Sequence, residues 1–426
     1  MHKNQPKGLF LLFFVEMWER FSYYGMRALL MLYMIKHLQF STEKAGQHYG
    51  WYTGMVYFTP LIGGYLADRY LGQRKCILIG GILMALGQFA MAVPSLPFFY
   101  SALTLLIIGN GFFKPNISTV VGSLYEQNDP RRDAGFTIFY MGINLGAFLA
   151  PLVCSTLGEK VGWHYGFGAA GVGMLMGMGM YLWGQKAFLG DKCMQPAFIR
   201  HGHIEDKPLT HAEKQRIAVI FIMAFFCVFF WSAFEQAGSS MTLFADRETN
   251  RMIPFSNIKI PVGYFQSINP LLIFILAPFF SKMWVKLGET GREPATPIKF
   301  VIAMGLLAAG FVVMIIAAAL YEQSGPVSML WLIGAYFFHT MGELCLSPVG
   351  LSMVTKLSPA KFVSIMMGVW LMSSFAANFV GGFFAGNYDA MNHTLFYIIP
   401  TGTAVGAGLL LLIISPKLKK WMHGIN

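Results

Sequence analysis

Charge is what this 426-residue sequence has least of: Asp, Glu, Lys and Arg together make up 12% of it, about half the share of a soluble globular chain. So little charge cannot cover the surface of a water-soluble domain of this size, and that class is excluded. Cysteine is scarce as well. Cys76, Cys154, Cys193, Cys227 and Cys345 show neither pairing nor metal-ligand spacing, so neither a disulfide framework nor a metal site is expected. They read as small apolar fillers, with a free thiol at Cys193 in a loop. No Walker-type phosphate loop is present, which argues against ATP as an energy source and leaves an ion gradient. No nucleophile–base pair or metal cluster stands out, so an enzyme is not expected, and neither is an organic cofactor. The first apolar run is interrupted by Glu16, Glu19 and Arg20, unlike the short uncharged core of a cleavable leader.

What is present is hydrocarbon. Hydrophobic residues make up 55% of the chain, and a helix crossing a bilayer needs about 20 of them in a run. Twelve such runs occur, at 8–36, 45–68, 75–94, 96–125, 134–158, 164–188, 214–244, 262–287, 297–320, 327–356, 362–385 and 394–415. The expectation is an all-α membrane protein of twelve spans. Gly190 to Glu213 is polar and holds no spanning run. It divides the chain into a six-helix half at 1–189, a cytoplasmic linker at 190–213 and a second six-helix half at 214–426. Two halves around a midplane site is the layout of many secondary transporters.

Basic residues orient the chain. With the amino terminus inside, 22 of the 31 lysines and arginines fall on the cytoplasmic side, six on the other side and three within spans. Positive-inside bias therefore places both termini in the cytoplasm of a multi-pass cytoplasmic (inner) membrane protein. The net charge of +11 is then matched by anionic membrane lipids. No nucleic-acid partner is expected, because the basic residues recur loop by loop.

Ionisable residues inside a span are costly and default to function. Seven stand out: Glu16, Glu19, Arg20, Arg27, Lys114, Glu235 and Glu343. Four are acidic and three basic, so pairing leaves one carboxylate over, the kind of group that can carry a coupling proton. Glu16, Arg20, Tyr23 and Arg27 are spaced four, three and four apart, which puts them on one helix face. Such a face cannot meet lipid tails; it lines water or meets partners. A cavity with cations at one end and carboxylates at the other suits a zwitterion, an amino acid or a short peptide. Asn144 and Asn269 either bond such a ligand or join helices, both ordinary uses. His339 shares a face with Glu343, as a proton relay or as a histidine satisfied by a neighbouring carbonyl. Trp231 and Trp370 lie deep enough to wall a pocket, with packing as the alternative. Pro115, Pro151, Pro270 and Pro348 interrupt the backbone ladder inside spans, as bends or as ordinary membrane prolines.

Several of these residues fall in recognisable patterns. Glu16-Met-Trp-Glu19-Arg20-Phe21-Ser-Tyr23-Tyr24-Gly25 resembles the ExxERFxYYG signature of the proton-dependent oligopeptide transporters, a family of the major facilitator superfamily. Phe139-Tyr140-Met-Gly-Ile143-Asn144-Leu-Gly146 is similar to their second signature, FYxxINxG. The stretch from Gly64 to Lys75 resembles the superfamily's loop motif after the second span. Further similarities are Phe112 to Asn116, Trp231 to Gln236, Gln266 to Pro270 and Gly342 to Pro348. One departure is the short linker, which has no room for the extra helix pair of many bacterial members.

The resemblance implies a major facilitator fold and a proton-coupled symporter importing di- and tripeptides by alternating access. The alternative is a related carrier for an amino acid, nitrate or a drug. It implies proton coupling by Glu16, Glu19, Arg20 and Glu235. It implies peptide binding by Arg20, Tyr23, Tyr24, Arg27, Tyr57, Lys114, Asn144, Asn269, Glu343 and Trp370. Gating pairs are implied between Arg27 and Glu235, and between Lys114 and Glu343. Protons are the only coupling species implied, and a monomer is sufficient.

Overall fold

Backbone amides in hydrocarbon find no water, so an apolar run can satisfy them only as a helix. The computed structural model of the chain describes residues 5–126, 129, 131–196, 209–253, 255–359 and 362–425. Residues 197–208 of the expected linker lie outside the described residues, as do Lys3 and Lys361. Thirteen α-helices are described: α1 Lys7–Lys36, α2 Thr42–Leu66, α3 Gln73–Met91, α4 Leu96–Ser123, α5 Arg132–Lys160, α6 Trp163–Leu189, α7 His211–Phe234, α8 Ser240–Arg247, α9 Ile268–Glu289, α10 Thr296–Ser324, α11 Leu330–Leu357, α12 Val363–Ala385 and α13 His393–Trp421. They account for all twelve runs, since α7 and α8 share one.

Among the described residues, eight of these segments are long and apolar enough to cross a membrane by length and composition. The other four are α1, α2, α6 and α11. Helix α1 carries the charged motif and α11 carries His339 and Glu343; α2 opens on polar residues and α6 is rich in glycine.

Two runs expected to be continuous are broken. The seventh stops at Phe234, turns through a 3-10 segment at Glu235–Gly238 and resumes as α8. The eighth opens with a 3-10 segment at Val262–Ser267 before α9. Pro270 therefore lies in the first turn of α9, where its missing N–H costs no ladder bond. It starts a helix instead of bending one. Pro115, Pro151 and Pro348 do lie inside α4, α5 and α11.

The chain divides into two compact units. The first comprises Met1–Leu38 and Met55–Gly202; the second comprises Gln39–Gly54 and His203–Asn426. Helix α2 is thus shared, its first half belonging with the later helices. In the first unit α1 packs on α5 and α6, and α3 on α4 and α6. Small residues set these distances, because lipid supplies no hydrophobic drive for helix association. A Cβ on Gly146 of α5 would lie 2.2 Å from the Met17 carbonyl oxygen, and one on Gly25 of α1 would lie 2.4 Å from Cys154 Sγ. The loop motif closes α2 through a π-helical turn at Ala67–Leu71. It ends at Gly72, whose φ of +80° and approach to the Met194 carbonyl exclude a side chain. Gln73 donates to Asp68 Oδ1 at 2.7 Å, and Arg74 reaches Gln185 Oε1 at 3.0 Å and the Gly190 carbonyl. Cys193, expected as a free loop thiol, is free and lies buried against this loop, its carbonyl accepting from the Arg74 amide.

In the second unit α10 packs on α11 and α13, α7 on α12, and α9 on α11. A Cβ on Gly382 of α12 would lie 2.2 Å from Gly50 Cα of α2, so two glycines let these backbones touch. Two short strands, β1 Thr249–Asn250 and β2 Val327–Ser328, pair in parallel with Thr249 opposite Val327. They join the end of α8 to the start of α11. Helix α7 begins with a capping box in which Thr210 accepts from the Glu213 amide and Glu213 accepts from the Thr210 amide, two orphan donors satisfied reciprocally.

Candidate functional site: charged clusters in two units

In the first unit the charged face of α1 is folded inward. Glu16, Glu19 and Arg20 are each at most 2% exposed, so their charges must satisfy one another. Arg20 holds Glu19 bidentately, through Nε on Oε2 and through Nη2 on Oε1 at 2.7 Å. Its Nε also lies 3.3 Å from Glu16 Oε1. One guanidinium thus serves two carboxylates, and the second oxygen of Glu16 is buried with no hydrogen-bond partner. A proton placed there would turn an orphaned acceptor into a donor.

Tyr23 packs its ring under the Arg20 guanidinium at 5.2 Å, and Tyr24 lies 5.9 Å from that of Arg27. The two rings meet edge to face at 5.1 Å. On α4 and α2, the Lys114 ammonium sits over the Tyr57 ring at 4.7 Å, a cation–π contact. Asn144 Nδ2 donates to the Tyr140 carbonyl one turn back on α5, so that donor serves its own helix.

Asn110 was not singled out from the sequence. Its Oδ1 accepts from Arg20 Nη2 at 3.3 Å while its Nδ2 donates to the Val56 carbonyl at 2.9 Å. It thereby ties α1 to α4 and α2. The available signal was its place one helical turn before Lys114 on the same face.

The second unit holds the other four predicted residues. Glu235 is 8% exposed and stands at the break between α7 and α8. The next residue closes that break: Gln236 Nε2 donates to the Gly381 carbonyl at 2.9 Å, and its Oε1 accepts from Ser240 Oγ at 2.7 Å. Asn269, at the start of α9, donates to Glu343 Oε2 at 2.7 Å. The same amide reaches Thr340 Oγ1 at 3.1 Å, and Thr340 in turn donates to the Tyr336 carbonyl. Thr340 was also missed; it lies one residue short of a turn before Glu343. Trp370 is buried against Phe300 at 6.3 Å and against Gly350, which is a packed position.

His339 is 1% exposed, lies 4.5 Å from the Phe311 ring, and has no hydrogen-bond partner at either ring nitrogen. The neighbouring carbonyl is that of Leu307, which approaches the ring without reaching full bonding geometry. Arg27 and Lys114 belong to the first unit, Glu235 and Glu343 to the second.

Broken helices, buried charge in each unit, eight described segments apolar enough to span a membrane and the match to a solved transporter together define a secondary membrane transporter of the major facilitator fold, not an enzyme. The chain belongs to the POT family, whose sequence model matches residues 74–201 and 197–399. The two matches meet inside the linker.

Among its relatives, the "Uncharacterized transporter YclF" of Bacillus subtilis (strain 168) is 36% identical over 99% of this chain and 96% of its own length. That alignment runs to 477 residues, so the relative carries segments this chain lacks. The "Peptide transporter YePEPT" of Yersinia enterocolitica is also 36% identical, over 97% of this chain and 94% of its own. A crystal structure of a "peptide transporter POT in complex with sulfate" superposes with a TM-score of 0.92 at 35% identity, covering 100% of this chain and 97% of that one.

Proposed function

We propose that this chain is a proton-coupled symporter that imports di- and tripeptides by alternating access. The carrying observation is the first-unit cluster, in which one buried guanidinium serves both Glu16 and Glu19 and leaves Glu16 Oε2 without a partner. Two buried carboxylates that share one guanidinium, with an oxygen left unbonded, are suited to take up a proton and release it as partners change. Relatives named as peptide transporters support the substrate class.

In this scheme Glu16, Glu19, Arg20 and Glu235 form the coupling network. Arg20, Arg27 and Lys114 attract the peptide carboxylate, with Tyr23, Tyr24 and Tyr57 shaping the basic face. Glu343, with Asn269, takes the amino end, and Asn144 and Trp370 complete the set. Exchange of partners between Arg27 and Glu235, and between Lys114 and Glu343, gates the cycle. The halves are residues 1–189 and 214–426, joined by a cytoplasmic linker at 190–213. Both termini face the cytoplasm from the inner membrane, protons are the coupling ion, lipids surround the spans, and a monomer is sufficient.

Uptake of a labelled dipeptide into proteoliposomes under an imposed inward pH gradient tests this. Saturable accumulation that collapses with an uncoupler is expected. Accumulation that persists under the uncoupler removes proton coupling, and competition only by free amino acids, nitrate or drugs replaces the substrate. Glu235→Gln is expected to lose gradient-driven accumulation while keeping exchange.

A further inference from the structure

On the outer face of the first unit, the start of α1 and the end of α6 leave a groove of about 340 Å³ that none of the transport residues enters. Its lining includes Lys7, Phe10, Phe14, Met180, Trp183 and Phe188. The volume falls in the range of small-molecule sites, about 300–1,000 Å³. Apart from Lys7 the walls are aromatic or aliphatic, and several stay open to the surroundings: Trp183 is 77% exposed, Phe10 49% and Phe14 44%.

The two helices repeat one chemical order. Along α1, Lys7 is followed by Phe10 and Phe14 at spacings of three and four. Along α6, read backwards, Lys186 is followed by Trp183 and Met180 at spacings of three. Each consecutive pair at such spacings is adjacent on its helix, so Lys186 borders the groove beside Trp183 without lining it. Lys7 opens its helix and Lys186 nearly closes its own, and α1 packs on α6 through Gly173, Gly177 and Gly184. The Cβ positions of these glycines meet Phe21, Trp18 and Leu11. A cation therefore stands at the same end of both helices, with bulky apolar side chains deeper along each. From Lys7 to Phe14 the helix rises about 10 Å, within the ~15 Å depth of one leaflet's hydrocarbon.

We propose that this groove is a binding site for one anionic phospholipid, with its phosphate between Lys7 and Lys186 and one acyl chain lying along Phe10, Phe14, Met180 and Trp183. The charge order selects the ligand. A zwitterionic lipid would bring its own cation to the lysines, whereas an anionic headgroup such as phosphatidylglycerol leaves its phosphate charge uncompensated for them. Each basic residue near a membrane surface contributes enough attraction for about a fivefold preference. Trp183 and Phe188, edge to face at 5.9 Å, form the aromatic wall at the interface where such rings settle.

The test reconstitutes the full chain in phosphatidylcholine vesicles and titrates in lipids brominated on the acyl chain, with either a phosphatidylglycerol or a phosphatidylcholine headgroup. The signal is the tryptophan fluorescence that disappears in Trp183→Phe, which isolates the groove from the other tryptophans. Brominated phosphatidylglycerol should quench that component at a mole fraction at least fivefold lower than brominated phosphatidylcholine. Lys7→Gln with Lys186→Gln should bring the two lipids together. Both lysines are exposed, and dipeptide uptake by the double variant reports that it is folded. Equal quenching by both headgroups in the parent would mean a bulk lipid shell and overturn the site. So would a preference that survives loss of both lysines. Absence of quenching by either lipid would mean that protein, such as a second copy of the chain, covers the groove, and would overturn it as well.

Discussion

The amide of Asn269 donates to Glu343 Oε2 at 2.7 Å while also touching Thr340 Oγ1 at 3.1 Å. The first residue of this pair opens a helix after a 3-10 turn, and the second lies mid-helix on α11. The carboxylate proposed to meet a peptide's amino end is therefore already aimed by a neutral donor. A hydrogen bond to a charged group is worth about 1.5–3 kcal/mol net. Asn269→Ala should lower the kcat/KM of dipeptide uptake by roughly 10- to 100-fold. Thr340→Val, which removes only the support, should have a smaller effect in the same direction. Unchanged uptake kinetics in Asn269→Ala would separate the amide from substrate handling.

Glu16 and Glu19 share Arg20 unequally, and their variants should differ in kind. Glu19 forms the bidentate pair and is fully buried. Glu19→Gln weakens the main partner of a buried guanidinium, and breaking a buried pair costs about 3–5 kcal/mol. A lower thermal midpoint in detergent and a lower yield are expected. Glu16→Gln keeps that pair and occupies the orphaned oxygen position with a neutral group. It should fold normally and exchange peptide across the membrane while failing to accumulate it under a pH gradient. Normal accumulation by Glu16→Gln would move the coupling proton elsewhere.

Gly146 contrasts with Gly168. A Cβ at Gly146 would come within 2.2 Å of the Met17 carbonyl oxygen, and nothing lies within 4 Å of one at Gly168. Overpacking of this sort typically costs about 1–3 kcal/mol. Gly146→Ala should lower the thermal midpoint and disturb the adjacent Arg20 cluster, whereas Gly168→Ala should be neutral. Equal midpoints for the two variants would contradict the close approach of α5 to α1.

Glu248, just beyond α8, is 2% exposed, accepts from Tyr388 at 3.0 Å and lies 3.7 Å from His393 Nδ1. Burial pushes its carboxyl up to about 7, with the Tyr388 hydroxyl and Arg247 opposing. A folded value above the unfolded one favours the protonated folded state. Its stabilising contribution is fully present below about pH 4.3, the ordinary glutamate value, and is lost as pH rises through about 7. The parent should therefore lose thermal stability across that window relative to Glu248→Gln. Thermal midpoints in detergent from pH 4 to 8 check this, and parallel curves would refute it.

Much of the fold was legible before any coordinates. Run length is a property of the chain in one dimension, so the long apolar helices could be read directly. The charged face of α1 was legible for the same reason, because helical periodicity places Glu16, Arg20, Tyr23 and Arg27 together. The partners of those charges were less accessible. Asn110 meets Arg20 across ninety residues of sequence, and no local pattern ranks it above other intramembrane amides. Thr340 and the closing role of Gln236 were hidden likewise.

Sequence alone determined that the chain is helical, apolar and carries buried charge, because those follow from the cost of placing amides and ions in hydrocarbon. Tertiary structure alone decided that the seventh run breaks at Glu235, that Pro270 starts a helix, and that Glu16 keeps one oxygen without a partner. Breaks and orphaned atoms depend on what lies across a helix interface, and that is fixed only when distant segments pack.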